Sequence, residues 1–132
     1  MTNEYQARVL SPLVRDAASE PFWAAAAEGV LKIRRCTVCE RAHHYPRALC
    51  PYCQGDTRWE PASGLGTIYS VSLTRRAGPV PYAVAYVRLA EDVTMLANIV
   101  NCDLAALRIG DAVKVCFVTT EDGAKVPMFE PA

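Results

Sequence analysis

Cys36-Thr37-Val38-Cys39 and Cys50-Pro51-Tyr52-Cys53 are two Cys-x-x-Cys pairs separated by residues 40–49. Within each pair, the two-residue gap lets a tight turn aim both sulfurs at one ion. The stretch between the pairs is long enough to run out and back as a short hairpin. Four thiolates at this spacing suit zinc, whose filled d shell accepts a tetrahedral sulfur cage without strain. Four protein ligands close the shell and leave no position for a reactive water. The spacing therefore predicts one structural zinc ion in a ribbon, not a catalytic zinc. Rubredoxin-type iron uses the same ligands and stays open as an alternative. A redox-active pair would need a βαβ context, which this stretch lacks.

The rest of the chain bounds what surrounds the ribbon. It has 132 residues, with 14 basic and 14 acidic side chains and no formal net charge. That size suits one ordinary domain or a small module appended to one. A hydrophobic content of 52% is too high for a disordered chain. Zero net charge supplies no global field toward nucleic acid or an anionic membrane. No run approaches the roughly 20 apolar residues of a membrane helix. Met1 to Ser11, with Asn3, Glu4 and Arg8, lacks the apolar core of a signal peptide, so a cytoplasmic location is expected. In a reducing cytosol, metal binding is the natural use of the six cysteines. Cys102 and Cys116, outside the ribbon, sit in apolar stretches and read as buried thiols acting as small hydrophobes.

Residues 1–18 read as an extended arm that gains order only against something else. Ser19-Glu20-Pro21 opens a helix, with Ser19 as its cap and proline in the first turn. Phe22 to Glu28 forms its body and Gly29 ends it. Phe22, Trp23, Ala26 and Ala27 make one apolar side, which either packs on its own domain or is shared with a partner. Val30 to Arg34 reads as a strand entering the first knuckle. His43 and His44 fall on the hairpin; because four cysteines already satisfy the ion, they are expected to be solvated or to pack there. Arg34, Arg35, Arg41 and Arg47 make the ribbon the most basic segment, either a solvated face or a surface for an anion or a partner.

Beyond Trp59-Glu60-Pro61 the pattern shifts to short strands. Gly64-Leu65-Gly66 reads as a flexible start, and Tyr69, Val71 and Leu73 alternate with polar residues in a half-buried strand. Arg75-Arg76-Ala77-Gly78-Pro79 reads as a loop. Tyr82 to Leu89 is apolar on nearly both faces and hence central. Thr94 to Val100 makes a third strand after a turn at Asp92, and Asp103 to Leu107 one helical turn. After a turn at Ile109-Gly110-Asp111, Val113, Val115 and Phe117 alternate in a fourth strand. Glu121-Asp122-Gly123 turns into a fifth, Lys125 to Phe129. Periodicity alone indicates a small antiparallel barrel or sandwich; five strands with one helical interruption suit a Greek-key barrel of the OB type. The expected organisation is mainly β: arm and helix (1–29), zinc ribbon (30–60) and a five-stranded OB-fold domain (61–132).

Several motifs in order carry a family resemblance: Pro21-Phe22-Trp23, Gly29 through Cys39, Tyr45-Pro46-Arg47, Cys50-Pro51-Tyr52-Cys53 and Trp59. Ser63 through Ser70, Pro81 through Ala85 and Ile109 through Val113 complete the series. On these residues the chain resembles the proteins that join a rubredoxin-like zinc ribbon to an OB-fold domain, long catalogued as a domain of unknown function. Members are typically encoded with thiolase-like and other acyl-CoA enzymes. The resemblance spans roughly residues 20–130. Glu40 and Gln54 depart from it, standing where knuckles often carry glycine.

The resemblance implies a zinc-containing accessory subunit of a thiolase-like, synthase, aldolase or hydratase enzyme, helping to shape the acyl-CoA channel. The residues themselves agree with that. No Ser/His/Asp or Cys/His constellation is apparent. Phe22, Trp23 and Tyr45 look exposed and, with Arg47, suit partner anchors. Arg34-Arg35 and Arg75-Arg76 are candidates for a partner's acids or the phosphates of CoA, against plain solvent exposure. Two alternatives remain. A single-stranded nucleic-acid-binding module would stack bases on Tyr69, Tyr82 and Tyr86; the zero net charge and the lack of a lysine-rich strand face oppose it. An enzyme acting alone would work through zinc or through Cys102 or Cys116.

Overall fold

Helix α1 spans Glu20–Ala27, and three short strands follow it: β1 (Lys32–Cys36), β2 (Ala42–His43) and β3 (Thr57–Pro61). Five longer strands complete the chain: β4 (Leu65–Thr74), β5 (Tyr82–Leu89), β6 (Thr94–Ile99), β7 (Ala112–Thr119) and β8 (Lys125–Pro131). A 3₁₀ turn at Leu104–Ala106 interrupts them between β6 and β7. These elements come from a computed structural model, which describes residues 5–76 and 78–132. Residues 1–4 of the expected arm and Ala77 of the expected Arg75–Pro79 loop lie outside the described residues.

β4 to β8 close into a barrel in the order β4-β5-β6-β8-β7, with β7 returning to β4. All of its ladders are antiparallel except β6–β8, which meet in parallel at Ile99 and Phe129. This is the expected OB barrel. Closure depends on β4, which pairs β5 along most of its length and β7 at its start. To serve both neighbours it must coil, and the register shifts between Ile68 and Ser70 mark the bulge where it does. Gly66 sits where a Cβ would stand 2.6 Å from the Arg88 carbonyl oxygen. Any side chain there would hold the two strands apart. Gly64, at φ +78, accepts the Val115 N–H at 2.7 Å. The glycine pair expected to be a flexible start is thus a tightly packed corner.

The expected β5 limits match those observed, but burial on both faces does not. Ala83, Ala85, Val87 and Leu89 point into the barrel, whereas Tyr86 and Arg88 are exposed. β5 is central only in having a strand on each side. Across β5, β6 and β8, Ala83, Ile99 and Phe129 fall in one row, small beside large, as a narrow lumen requires. Leu104 and Leu107 bury themselves around the 3₁₀ turn, where the Asp103 carboxylate accepts from the Ala105 N–H.

The ribbon sheet has the order β2-β1-β3. Leu31, Ile33 and Ala42 belong to the same buried cluster as the barrel residues, so ribbon and barrel share one core. Helix α1 inserts Phe22, Ala25 and Ala26 into it or beside it. The helix stops in a Schellman arrangement: Gly29, at φ +80, donates to Ala26, and Val30 donates to Ala25. Its start differs from expectation, because Ser19 gives the helix no side-chain cap. The Ser19 hydroxyl is buried and donates instead to the Asp16 carboxylate at 2.7 Å. The arm carries no helix or strand, and its residues 5–10 lie against this chain's own barrel domain. Tyr5 N–H bonds Cys102 O, Arg8 lies 4.3 Å over the Tyr82 ring, and Leu10 O accepts from Glu121.

Candidate metal centre

The two knuckles repeat one local design. β1 delivers Cys36, and the turn that follows aims the N–H groups of Val38 and Cys39 at its sulfur, each at 3.3 Å. In the second knuckle the Tyr52 N–H approaches Cys50 Sγ at 3.4 Å. A backbone bond from Thr37 to Asp56 ties the first turn to the end of the second, and one from Cys50 to Gly55 closes the second turn on itself. After each second cysteine the chain turns through the left-handed region, with Glu40 and Gln54 both at φ 65. The knuckle geometry is therefore kept without glycine. Gly55 is needed for room instead: a Cβ there would lie 2.8 Å from Val38 Cγ2 and 3.2 Å from Cys36 Sγ.

The result gathers four sulfurs within 4.8 Å of one another. Cys36 and Cys53 sulfurs are 3.4 Å apart, and those of Cys39 and Cys50 are 3.6 Å apart. A tetrahedron with Zn–S bonds of about 2.3 Å has edges of about 3.8 Å. The donor set fits one zinc ion. Burial pushes the Cys36 thiol up, but N–H groups of Cys39 and Val38 more than offset it and bring it to about 6. Cys50 is lowered in the same way, its burial outweighed by the N–H groups of Tyr52 and Cys53. Cys39 is pushed up to about 11: the Arg41 N–H lowers it, but burial and the neighbouring sulfurs prevail. A divalent cation between the four sulfurs supplies the charge that lets all of them be thiolates.

Residues 23–60 match the rubredoxin-like zinc ribbon domain of ChsH2, and residues 59–118 match its C-terminal OB-fold domain. A DUF35 domain-containing scaffold protein of Methanothermobacter thermautotrophicus is 32% identical over 90 residues, covering 63% of this chain and 68% of that protein. The chain belongs to the ChsH2-type DUF35 family. A probable enoyl-CoA hydratase alpha subunit of Thermomonospora curvata is 30% identical over 136 residues, spanning 98% of this chain. This DUF35 chain accounts for only 42% of that subunit's length. Among solved structures, a chain of the Ltp2-ChsH2(DUF35) aldolase aligns with TM-score 0.79 and 27% identity, over 91% of this chain and 98% of that one. A DUF35 protein of unknown function from Sulfolobus solfataricus shares the fold, with TM-score 0.65 and 12% identity over 88% and 86% of the two chains.

Other residues singled out in this DUF35 chain are placed unequally. Phe22 is 3% exposed and lies in the core, so its ring is not the open anchor expected of it. Phe22 enters the core, and Trp23 packs against the edge of that core, partly buried. It meets Trp23 edge-on at 4.8 Å and packs against His44 at 5.4 Å. Trp23 is half-buried, with an indole N–H that is buried and has no partner. Tyr45, 49% exposed, and Arg47 stand open beside them.

Arg34 and Arg35 are engaged within the ribbon. Arg34 donates to the Thr57 hydroxyl at 2.7 Å and lies over the Trp59 ring at 4.8 Å. Arg35 pairs with Glu60 at 2.8 Å and donates to the Glu40 carbonyl. Cross-strand partners on β3 engage both, and no local sequence signal announces that pairing. Thr57, whose hydroxyl also meets the Arg47 carbonyl at 2.7 Å, is a ribbon-fixing residue that the sequence did not single out. Arg75 and Arg76 lie on the exposed loop after β4. His43 is buried and its Nε2 accepts the Arg47 N–H at 3.1 Å; His44 is half-buried. Among the described residues, only the four cysteines form a metal-holding cluster. Cys102 and Cys116 are half-buried; burial raises both thiols, Cys116 to about 11, so both stay protonated near neutrality.

Proposed function

We propose that this DUF35 chain is an accessory subunit that binds and supports a thiolase-like or related acyl-CoA enzyme, with acyl-CoA running along the shared interface. The observation that carries this reading is the likeness, over 91% of this chain and 98% of the other, to a chain of the Ltp2-ChsH2(DUF35) aldolase. The hydratase alpha subunit among its relatives points to the same class of thioester chemistry. In this reading the zinc holds the ribbon in one shape, and Trp23, Tyr45 and Arg47 form the docking edge. Arg75 and Arg76 are then the candidates for CoA phosphates. Segments 1–29, 30–60 and 61–132 act as arm and helix, ribbon and barrel of a cytoplasmic protein. The chemistry belongs to the partner.

The test is coexpression with thiolase-like, hydratase, aldolase and synthase subunits from the same source, followed by size-exclusion chromatography and an acyl-CoA assay. A stable complex that turns over only when both chains are present is expected. Trp23→Ala should weaken that complex by about tenfold or more while leaving the free chain folded. A zinc-loaded chain that stays alone with every partner, or that turns over acyl-CoA by itself, overturns the proposal.

A further inference from the structure

A cleft of about 420 Å³ separates the edge of the ribbon from the β5–β6 turn of the barrel. His43, Tyr45, Arg47 and Tyr52 line it from the ribbon, and Arg88 and Asp92 from the barrel. Its size falls within the range of small-ligand sites and far exceeds the room one water needs. Two observations give it a chemical character. First, the cleft has an arginine on each wall. The Arg88 guanidinium lies over the Tyr69 ring at 5.1 Å, a contact that positions it without spending its hydrogen-bond donors. Arg47 is exposed, and among the described residues its guanidinium makes no ion pair. Second, His43 is only 5% exposed, and its Nε2 is occupied as an acceptor by the Arg47 N–H. That bond fixes the proton on Nδ1, and this buried donor has no partner. A buried donor left unmade is costly, and an acceptor that reached it from the cleft would relieve that cost.

We propose that this cleft is an oxyanion site, taking a phosphate or carboxylate group between Arg47 and Arg88 with His43 Nδ1–H as the buried donor. Asp92 is the one carboxylate among the lining residues, so the walls keep one net positive charge. Both histidines are neutral near pH 7, because burial lowers His43 and holds His44 at about 4. The arginines therefore carry the charge and the imidazole carries the direction. The site is complete within this chain and does not depend on the accessory-subunit reading.

The experiment is a ¹⁵N–¹H titration of the zinc-loaded full chain at constant ionic strength, with inorganic phosphate in one arm and acetate in the other. Saturable shifts confined to the cleft, including the His43 Nδ1–H resonance, are expected in at least one arm; the arm that saturates identifies the source chemistry. Arg47→Gln and Arg88→Gln should each weaken that binding about tenfold. Arg58→Gln, an exposed arginine outside the cleft, should leave it unchanged. Each variant is checked for zinc content and an undisturbed barrel spectrum. Shifts in neither arm, shifts scattered over all the arginines, or binding indifferent to both cleft variants overturn the proposal.

Discussion

At the scale of single residues, the knuckles separate two roles that glycine usually combines. Glu40 and Gln54 occupy left-handed positions at φ 65, a conformation that costs a side-chain-bearing residue about 1 kcal/mol or more. Gly55 has no such φ but stands where a Cβ would press toward Cys36 Sγ. Opposite substitutions should therefore have opposite effects. Glu40→Gly relieves strain and leaves its carbonyl free to accept from Arg35 as before. It should stabilise the zinc-loaded chain by about 0.5 kcal/mol, glycine's larger unfolded-state entropy cancelling part of the gain. Gly55→Ala displaces a ligand sulfur and should weaken zinc binding roughly tenfold, the usual scale for disturbing a ligand's surroundings. Competition with a chromophoric chelator measures the second effect and thermal melting the first. A Gly55→Ala chain that holds zinc as tightly as the parent would show that the crowding is relieved entirely by the exposed Val38 side chain.

At the scale of elements, what the sequence discloses depends on how local the cause is. Tyr82–Leu89 could be read to its ends because a strand's alternation is written in its own residues. Which of its faces is buried could not, since Val84 and Tyr86 are apolar yet face outward, and only the closed barrel decides which side is inside. β3 escaped notice because its ladder partner, β1, lies some two dozen residues upstream, and neither Thr57 nor Arg58 signals a strand alone. The zinc site was readable because its spacing is local, whereas the arginines' engagement with Thr57 and Glu60 was not. The shared core makes the ribbon's independence a testable matter. Three short strands bury too little to hold without their metal, yet Leu31, Ile33 and Ala42 are anchored in the barrel's cluster. Removing zinc by chelation, or by Cys36→Ser, should expose the amides of β1, β2 and β3 to hydrogen exchange. Amides of Ala85, Val87 and Met95 should keep their protection. If barrel and ribbon amides lose protection together on metal removal, the two halves are one cooperative unit and this expectation fails.

For the molecule as a whole, the charge is divided unevenly. Residues 30–60 hold six basic side chains (Lys32, Arg34, Arg35, Arg41, Arg47, Arg58) and three acidic ones (Glu40, Asp56, Glu60), a balance of +3. The chain is neutral overall, so the remainder carries −3. One divalent ion on four thiolates adds a formal −2 at the centre of the ribbon, bringing the segment to +1 and the loaded chain to −2. Much of the ribbon's basic character therefore balances its own metal–thiolate centre. That matters for the competing nucleic-acid reading, which the exposed Tyr69 and Tyr86 on the barrel would otherwise favour. Stacking on two rings contributes about 1–3 kcal/mol per base, but nucleic-acid affinity rests largely on releasing counterions from phosphates. A loaded chain of net negative charge lacks that drive. Its affinity for a 20-nucleotide single strand should stay weaker than about 100 μM at 150 mM salt, and lowering the salt tenfold should tighten it little. Fluorescence anisotropy reads both. Binding in the micromolar range with a steep salt dependence would mean that the barrel face and the ribbon arginines act together on a phosphate backbone, and the nucleic-acid function would then replace the accessory one.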